Sequence, residues 1–322
     1  MREQLSRAAN SRSGFVIRLF GTLLAFGLLF YLLSQQGWGE IIAAVEQIPV
    51  WRFALAMGLM IVSRFAVAGR WHVLLRSAGL RISIRDTLRI TFAGLFATNF
   101  LPTTVGGDVI RLAGAIRLKF DAAISTASLV VDRLVGMSGM AVMIPFGLPG
   151  FLAATRVQSV LPLRQPFFMA AAATSALGKW VGPFWEKGMR ILRKLWAALV
   201  IWRYQPRALL KSFGFTWVNM LCLFSVIYVL LGGMNDSIPL WLIGGLYSIV
   251  YFVTLLPFSI NGYGIQEVSM TFIFSAVGGV SMQSGLTVAL LFRTMMMIAS
   301  LPGAAFVPGL IAGSKDTAEP VQ

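Results

Sequence analysis

The sequence predicts an all-α polytopic membrane protein with about six transmembrane helices and two re-entrant helical hairpins in inverted-topology repeats. Apolar residues make up 57% and charged residues 12% of the 322 residues, a composition that excludes a water-soluble fold. The apolar residues fall in runs of roughly 18 or more, about the length that crosses a bilayer. Two of these runs are interrupted by Pro and Gly at corresponding places, which indicates a duplicated unit.

Basic residues orient the first two predicted spans. The first apolar run covers residues 15–33, and Arg2, Arg7, Arg12 and Arg18 lie before it or at its start. By the positive-inside rule the N-terminus is expected in the cytoplasm. The run is long and lacks an Ala-x-Ala-like site, so we expect it to be retained. A second run, residues 51–69, leads to a predicted cytoplasmic loop that contains Arg70, Arg76, Arg81, Arg85 and Arg89.

The later runs give the predicted topology. Residues 90–119 would dip in from the cytoplasm, the span around Arg133 would run outward, and residues 167–182 would return to a basic cytoplasmic stretch. Three further segments follow, at residues 213–231, 240–278 and 284–309, of which the middle one would enter from outside. The predicted membrane domain covers residues 15–313, with repeats at about 15–150 and 164–311 and cytoplasmic segments at 1–14 and 314–322.

The two interruptions share a pattern. Both read Leu-Pro-x-Ser/Thr-Val/Ile-x-Gly, and the residues that mark them are Pro102, Gly106, Gly107, Pro257, Asn261, Gly262 and Gly264. Such breaks in both halves predict a binding site near the membrane midplane, because unpaired backbone is tolerated only in a cavity or inside the protein. The glycines are expected to serve backbone conformation or close helix approach rather than direct ligation.

Arginines inside the apolar spans are the leading candidates for contact with an anionic ligand. Arg133 and Arg293 follow the two breaks and lie well inside their spans. A guanidinium stays ionised when buried and holds phosphate with two parallel hydrogen bonds. The alternative is a structural ion pair for each arginine, with Glu267 as the partner of Arg293.

Three neighbouring residues carry similar alternatives. Asp108 would either cap the half-helix that begins at Gly107 or contact cargo. Arg111 would either pair with Asp108 or lead the cargo in from the cytoplasm. Glu267 would attract a cationic group of the cargo, carry a coupling proton, or simply pair with an arginine.

Several other functions are poorly supported by the residues. The chain has one cysteine, Cys222, and one histidine, His72, so we expect neither a disulfide nor a metal site, and no cofactor. It has 27 basic and 12 acidic residues, but the basic residues cluster beside apolar spans, so no nucleic-acid partner is expected. The sequence contains neither an ATP-binding phosphate loop nor a serine nucleophile elbow.

Three motifs carry a family resemblance. They are Pro-x-x-x-Gly-Gly-Asp-x-x-Arg at residues 102–111, the run Asp132-Arg133-Leu134-Val135-Gly136, and the stretch at residues 257–267. Together they resemble the lysylphosphatidylglycerol synthase transmembrane region family, also called flippase-like, which includes the lipid-translocating half of the bacterial multiple peptide resistance factor. The resemblance covers about residues 15–313 and adds Asp132 to the candidate substrate-binding residues.

The resemblance implies a lipid translocase in the bacterial plasma (inner) membrane. Its cargo would be a membrane lipid that is anionic, aminoacylated or otherwise modified. The alternative is a membrane subunit that presents lipid to a separate aminoacyl- or glycosyltransferase, and a third possibility is a small-solute carrier. Full-length synthases carry a soluble transferase domain, whereas only the polar residues 314–322 follow the last predicted span, so no synthase activity is expected. The sequence does not predict the oligomeric state.

Overall fold

The computed structural model describes residues 45–100, 106–158, 204–255 and 262–308, together with Gly27, Ile42 and Trp202. Every regular element in these residues is helical, which confirms the predicted all-α class for this part of the chain. The helices are α1 Val50–Ser77, α2 Ile84–Phe100, α3 Gly106–Arg117, α4 Ala122–Gln158, α5 Pro206–Gly233, α6 Leu240–Thr254, α7 Ile265–Gly278 and α8 Met282–Ser300, followed by a 3-10 helix, Leu301–Ala305.

Four helical segments are long and apolar enough to cross a membrane. They are Val50–Ser77, Ala122–Gly150, Pro206–Gly233 and Met282–Ala305, and they coincide with four of the predicted spans. Large apolar side chains such as Val50, Trp51 and Leu210 remain exposed on these helices, as expected for surfaces that face lipid. The chain is a multi-pass membrane protein. The other predicted spans, residues 15–33 and 167–182, lie outside the described residues except for Gly27.

The two interrupted segments form two pairs of short helices. In each pair, α2 with α3 and α6 with α7, the two helices pack against each other. At about 1.5 Å per residue these helices are about 18 to 26 Å long, which is shorter than the roughly 30 Å hydrocarbon core of a bilayer. The first pair begins at Ile84, earlier than predicted, because Ser83 caps the helix at that point. Its hydroxyl oxygen accepts from the backbone N–H of Asp86 at 3.1 Å and donates to the Asp86 carboxylate at 2.7 Å.

Glycines set the start of α7 and a close contact between α4 and α6. Gly264 precedes α7 with φ 75°, a conformation that favours glycine. Where α4 crosses α6, a Cβ on Gly245 would lie 2.2 Å from the backbone nitrogen of Gly147. The backbones of these two helices therefore touch, as small residues allow in membrane bundles.

Two helix pairs bring the first and second parts of the chain together. Helix α1 packs most extensively against α5, and α4 packs against α6. The main apolar core lies among α1 and α4 to α8 and includes the fully buried Met60, Met220, Leu230 and Ile243. This core surrounds polar side chains that α1, α3, α4, α7 and α8 contribute to the interior.

Candidate functional site

Five charged side chains from three helices form what we call the first polar cluster: Arg70, Asp108, Arg111, Asp132 and Arg133. Arg70 comes from α1, Asp108 and Arg111 come from α3, and the remaining two come from α4. The cluster contains three arginines and two aspartates, so its net charge is +1. It lies inside helices that are otherwise strongly apolar.

Asp132 is the centre of the first polar cluster. Its residue is only 1% exposed. The guanidinium of Arg70 donates from Nε to Oδ1 at 2.7 Å and from Nη2 to Oδ2 at 3.2 Å, which is the two-pronged geometry typical of arginine and carboxylate. Arg111 donates from Nη1 to Oδ2 at 3.1 Å. One buried carboxylate therefore balances part of the positive charge of two buried guanidiniums.

Arg111 retains unused donors. Its guanidinium lies 4.3 Å from the ring centre of Trp71, a cation–π contact, and Trp71 is fixed by a 3.0 Å hydrogen bond to Ser128. The Nε and Nη2 atoms of Arg111 are buried and have no hydrogen-bond partner among the described residues. A buried donor without an acceptor is costly, so these atoms are available to an acceptor from a ligand or from water.

Asp108 and Arg133 form the exposed edge of the cluster. They make an ion pair in which the side chains are 21% and 53% exposed, respectively. Asp108 also lies 3.6 Å from Arg111 Nη1, so the predicted pairing of these two residues is confirmed. Asp108 is the third residue of α3 rather than its N-cap. Its negative charge in the first turn is stabilised by the positive end of the helix dipole. A ligand could reach Arg133 without unfolding the bundle.

The second polar cluster, Gly262, Tyr263, Glu267 and Arg293, is closed. Arg293 Nε donates to Glu267 Oε1 at 2.6 Å, and its Nη2 donates to the Gly262 carbonyl oxygen at 3.3 Å. Its guanidinium stacks 4.7 Å from the Tyr263 ring centre. The two paired side chains are 9% and 4% exposed, and Glu267 Oε2 has no hydrogen-bond partner among the described residues. The predicted pairing of Arg293 with Glu267 is confirmed.

The two clusters contain equivalent ion pairs. In each half, an acidic residue in the first turn of the helix after the break pairs with an arginine of the next long helix. The sequence separations are 25 residues for Asp108 and Arg133 and 26 for Glu267 and Arg293. The pairs differ mainly in exposure, since the first is open and the second is buried.

The structure brings most of the predicted site residues together in these clusters and shows the ion-pair alternative for the arginines. Contact with cargo stays a prediction. Gly107 allows close helix approach, because a Cβ there would lie 2.7 Å from the Gly94 carbonyl oxygen. Gly262 and Gly264 have positive φ angles, and Gly106 begins α3. Pro102, Pro257 and Asn261 lie outside the described residues.

Arg70 is the site residue that sequence reasoning missed. The prediction that it lies in a cytoplasmic loop is wrong, because α1 continues past the apolar run to Ser77. Arg76 is in the same helix, and Arg85 and Arg89 belong to α2, so of this group only Arg81 lies between helices. One signal was present in the sequence: Asp132 is an isolated carboxylate in an apolar run and requires a cation from another helix.

The chemistry of the first polar cluster suits an anion. Its excess positive charge attracts a phosphate group, and the unused N–H groups of Arg111 can donate hydrogen bonds to the phosphate oxygens. Asp108 could in turn receive an ammonium group. Across the residues described, no three His, Cys, Asp or Glu side chains come together as a metal site would require.

Comparison with known proteins yields one family. Residues 18–303 match the profile of the family described as "Lysylphosphatidylglycerol synthase TM region", which confirms the resemblance drawn from the three motifs. No curated protein matches the chain.

Proposed function

We propose, since the chain belongs to the lysylphosphatidylglycerol synthase TM region family, that it moves an anionic, aminoacylated or otherwise modified lipid between membrane leaflets. The observation that carries this proposal is the first polar cluster. It places an exposed arginine, a net positive charge and unused guanidinium donors within a bundle of apolar helices. These are the groups that a phosphate needs as it leaves water.

The physical requirement is a polar route for the headgroup. An unpaired phosphate is too costly to bury in hydrocarbon, so a translocator must supply counter-charges along the way. Arg133 would make the first contact because it is the most exposed arginine of the cluster. Arg111 would receive the phosphate next, and the aspartates would compensate for an aminoacyl cation when the cargo carries one.

The proposal includes the arrangement of the helices in the membrane. The short pairs α2–α3 and α6–α7 would be re-entrant hairpins, one entering from each side, in two inverted repeats. The chain would lie in a bacterial inner membrane with both termini in the cytoplasm. The order of elements supports this, because a long helix, a broken pair and a second long helix occur in both halves.

A second function is favoured by the matched family, which is defined by the membrane region of a synthase. In that case the chain would present lipid to a separate aminoacyl- or glycosyltransferase. The first polar cluster would then hold the headgroup at the surface rather than pass it through the bundle.

A leaflet-resolved assay tests the main proposal. The purified chain is placed in liposomes with fluorescent phosphatidylglycerol, its lysyl derivative or a neutral lipid, and dithionite quenches the outer leaflet. We expect one charged lipid to be quenched further with wild type than with Arg133→Ala. The matched control is Arg85→Ala, which removes an exposed arginine outside the cluster and should leave the quenching at the wild-type level.

Absence of lipid movement in this assay would favour the lipid-presenting subunit. If no lipid moves under any imposed gradient, translocation is wrong and the presenting subunit is the better proposal. That subunit predicts that Arg133→Ala lowers the total amount of modified lipid in cells. A translocase predicts an unchanged total with a smaller fraction in the outer leaflet.

A further inference from the structure

Arg64 occupies an unusual position in the bundle. It lies near the midpoint of α1, about 20 Å from either end at about 1.5 Å per residue. The residue is only 5% exposed. Its guanidinium is therefore buried inside the bundle and far from both ends of the helix. A cation at this depth is costly and by default indicates a functional site.

The partners of Arg64 do not neutralise its charge. Its Nη2 lies 3.0 Å from the Met60 sulfur, which is a weak acceptor, and its Nε has no hydrogen-bond partner among the described residues. The other buried arginines, Arg70, Arg111 and Arg293, each contact a carboxylate. Among the carboxylates that the structure describes, none pairs with Arg64.

The buried carboxylate of the second polar cluster is already used. Glu267 pairs with Arg293, so Arg64 adds a positive charge to the interior that no described carboxylate balances.

Residues of α1 that precede and follow Arg64 line an apolar groove. It has a volume of about 360 Å³, and its walls come from α1, α2 and the end of α8. Met57 and Ile61 line it, and they precede Arg64 by seven and three residues, so all three share one face of the helix. The groove suits an acyl chain, which favours a lipid over a free anion as the source of the negative charge.

From these observations we infer that Arg64 is the counter-charge for the phosphate diester of a lipid whose acyl chain lies in the groove between α1, α2 and the end of α8. The inference rests on the proposed function and names a second headgroup position, deeper than the exposed pair of Asp108 and Arg133. An arginine stays ionised when buried, and a phosphate diester offers two oxygens to its planar fork. Binding would therefore neutralise the unbalanced charge of the empty bundle.

The test compares lipid-dependent stability in two variants. The unfolding temperature of the purified full chain in detergent is measured with short-chain phosphatidylglycerol, with diacylglycerol of the same chains, or with inorganic phosphate. Of these three ligands, only phosphatidylglycerol should raise the unfolding temperature of wild type.

Without lipid, the unfolding temperature of Arg64→Met should be no lower than that of wild type, because an uncompensated charge is removed. This variant should bind phosphatidylglycerol at least ten-fold more weakly. The matched control, Arg76→Met, removes an exposed arginine of the same helix and should keep the wild-type response.

Three results would overturn the inference. One is an Arg64→Met variant that keeps the full response to phosphatidylglycerol. The second is a variant that unfolds well below wild type without lipid, which would make Arg64 a structural residue. The third is equal stabilisation by inorganic phosphate, which would remove the lipid from the assignment. A failed translocation assay with an Arg64-dependent response to phosphatidylglycerol would contradict only the proposed function.

Discussion

At the scale of single residues, Asp132 connects three helices through two arginines. Its carboxylate contacts Arg70 of α1 and Arg111 of α3 from its place in α4. Buried ion pairs contribute little net stability when complete, because desolvation offsets the attraction. Removing one member is different, since it leaves the remaining charges buried and unpaired.

Asp132→Ala should therefore destabilise the bundle strongly. The change leaves Arg70 without a carboxylate and Arg111 with only the 3.6 Å contact to Asp108. We expect a loss of about 3 to 5 kcal/mol in the free energy of unfolding. Reversible unfolding in mixed micelles, followed by circular dichroism, measures this value.

The matched control for that experiment is Asp86→Ala. Asp86 is 38% exposed and lies 3.8 Å from Arg89, so its ion pair is largely screened by solvent. Loss of the ion pair and of the hydrogen bond from the Ser83 hydroxyl to the Asp86 carboxylate should together cost no more than about 2 kcal/mol. Equal losses for Asp86→Ala and Asp132→Ala would show that the buried network has no special role in stability.

The sequence predicted the charged residues of the site better than their partners. Arg133, Arg293, Asp108 and Glu267 stand out because each is a charge in or beside an apolar run. Which charges meet depends on how helices pack, and hydropathy does not report packing. Arg70 was missed for this reason: the apolar run ends at residue 69, whereas α1 continues to Ser77.

At the scale of elements, the pair α2–α3 depends on two glycines that face each other. A Cβ on Gly107 would lie 1.9 Å from Thr98 Oγ1 and 2.7 Å from the Gly94 carbonyl oxygen. A Cβ on Gly94 would lie 2.7 Å from Arg111 Cγ. Glycine at both positions therefore lets α3 pack against α2 and places Arg111 beside Asp132.

Gly107→Ala should separate the two helices and disturb the first polar cluster. The Thr98 side chain could rotate away, but the Gly94 carbonyl is backbone and cannot. We expect a cost of about 1 to 3 kcal/mol from overpacking, together with slower lipid movement in the liposome assay. Gly58→Ala is the control, because a Cβ at this α1 position meets nothing within 4 Å and should leave stability equal or slightly higher. If both variants behave alike, close packing at Gly107 is not required.

The long helices and the outer bounds of the second short pair, Leu240 and Gly278, were predicted well, and the first short pair less so. A run of about 20 apolar residues has few alternatives to a membrane span, so residues 51–69 and 213–231 both fall inside observed helices. The helices α2 and α3 contain Arg85, Asp86, Arg89, Asp108 and Arg111, and these charges weaken the hydropathy signal. Their boundaries depend on caps and close contacts that a hydropathy profile does not contain.

At the scale of the whole molecule, the two halves repeat one order of elements. Helix α1, the pair α2–α3 and helix α4 are followed by helix α5, the pair α6–α7 and helix α8. The equivalent ion pairs occupy matching places in this order. Because one pair is open and the other is closed, a lipid could approach one cluster while the other stays sealed, provided that the halves have opposite orientations in the membrane.

Opposite orientation can be measured with single cysteines. In a Cys222→Ala background, the variant Ile84→Cys reports the connection between α1 and α2, and Ser237→Cys reports the connection between α5 and α6. Both residues are exposed. Inverted repeats would place these connections on opposite faces, and the basic residues around Ile84 predict that it faces the cytoplasm. A membrane-impermeant maleimide should therefore label Ser237→Cys in intact cells and label Ile84→Cys only after the cells are opened.

The Cys222→Ala chain without a new cysteine measures background labelling. Labelling of both cysteines from the same side would mean that the two halves are parallel, and the open and closed ion pairs would then face the same compartment.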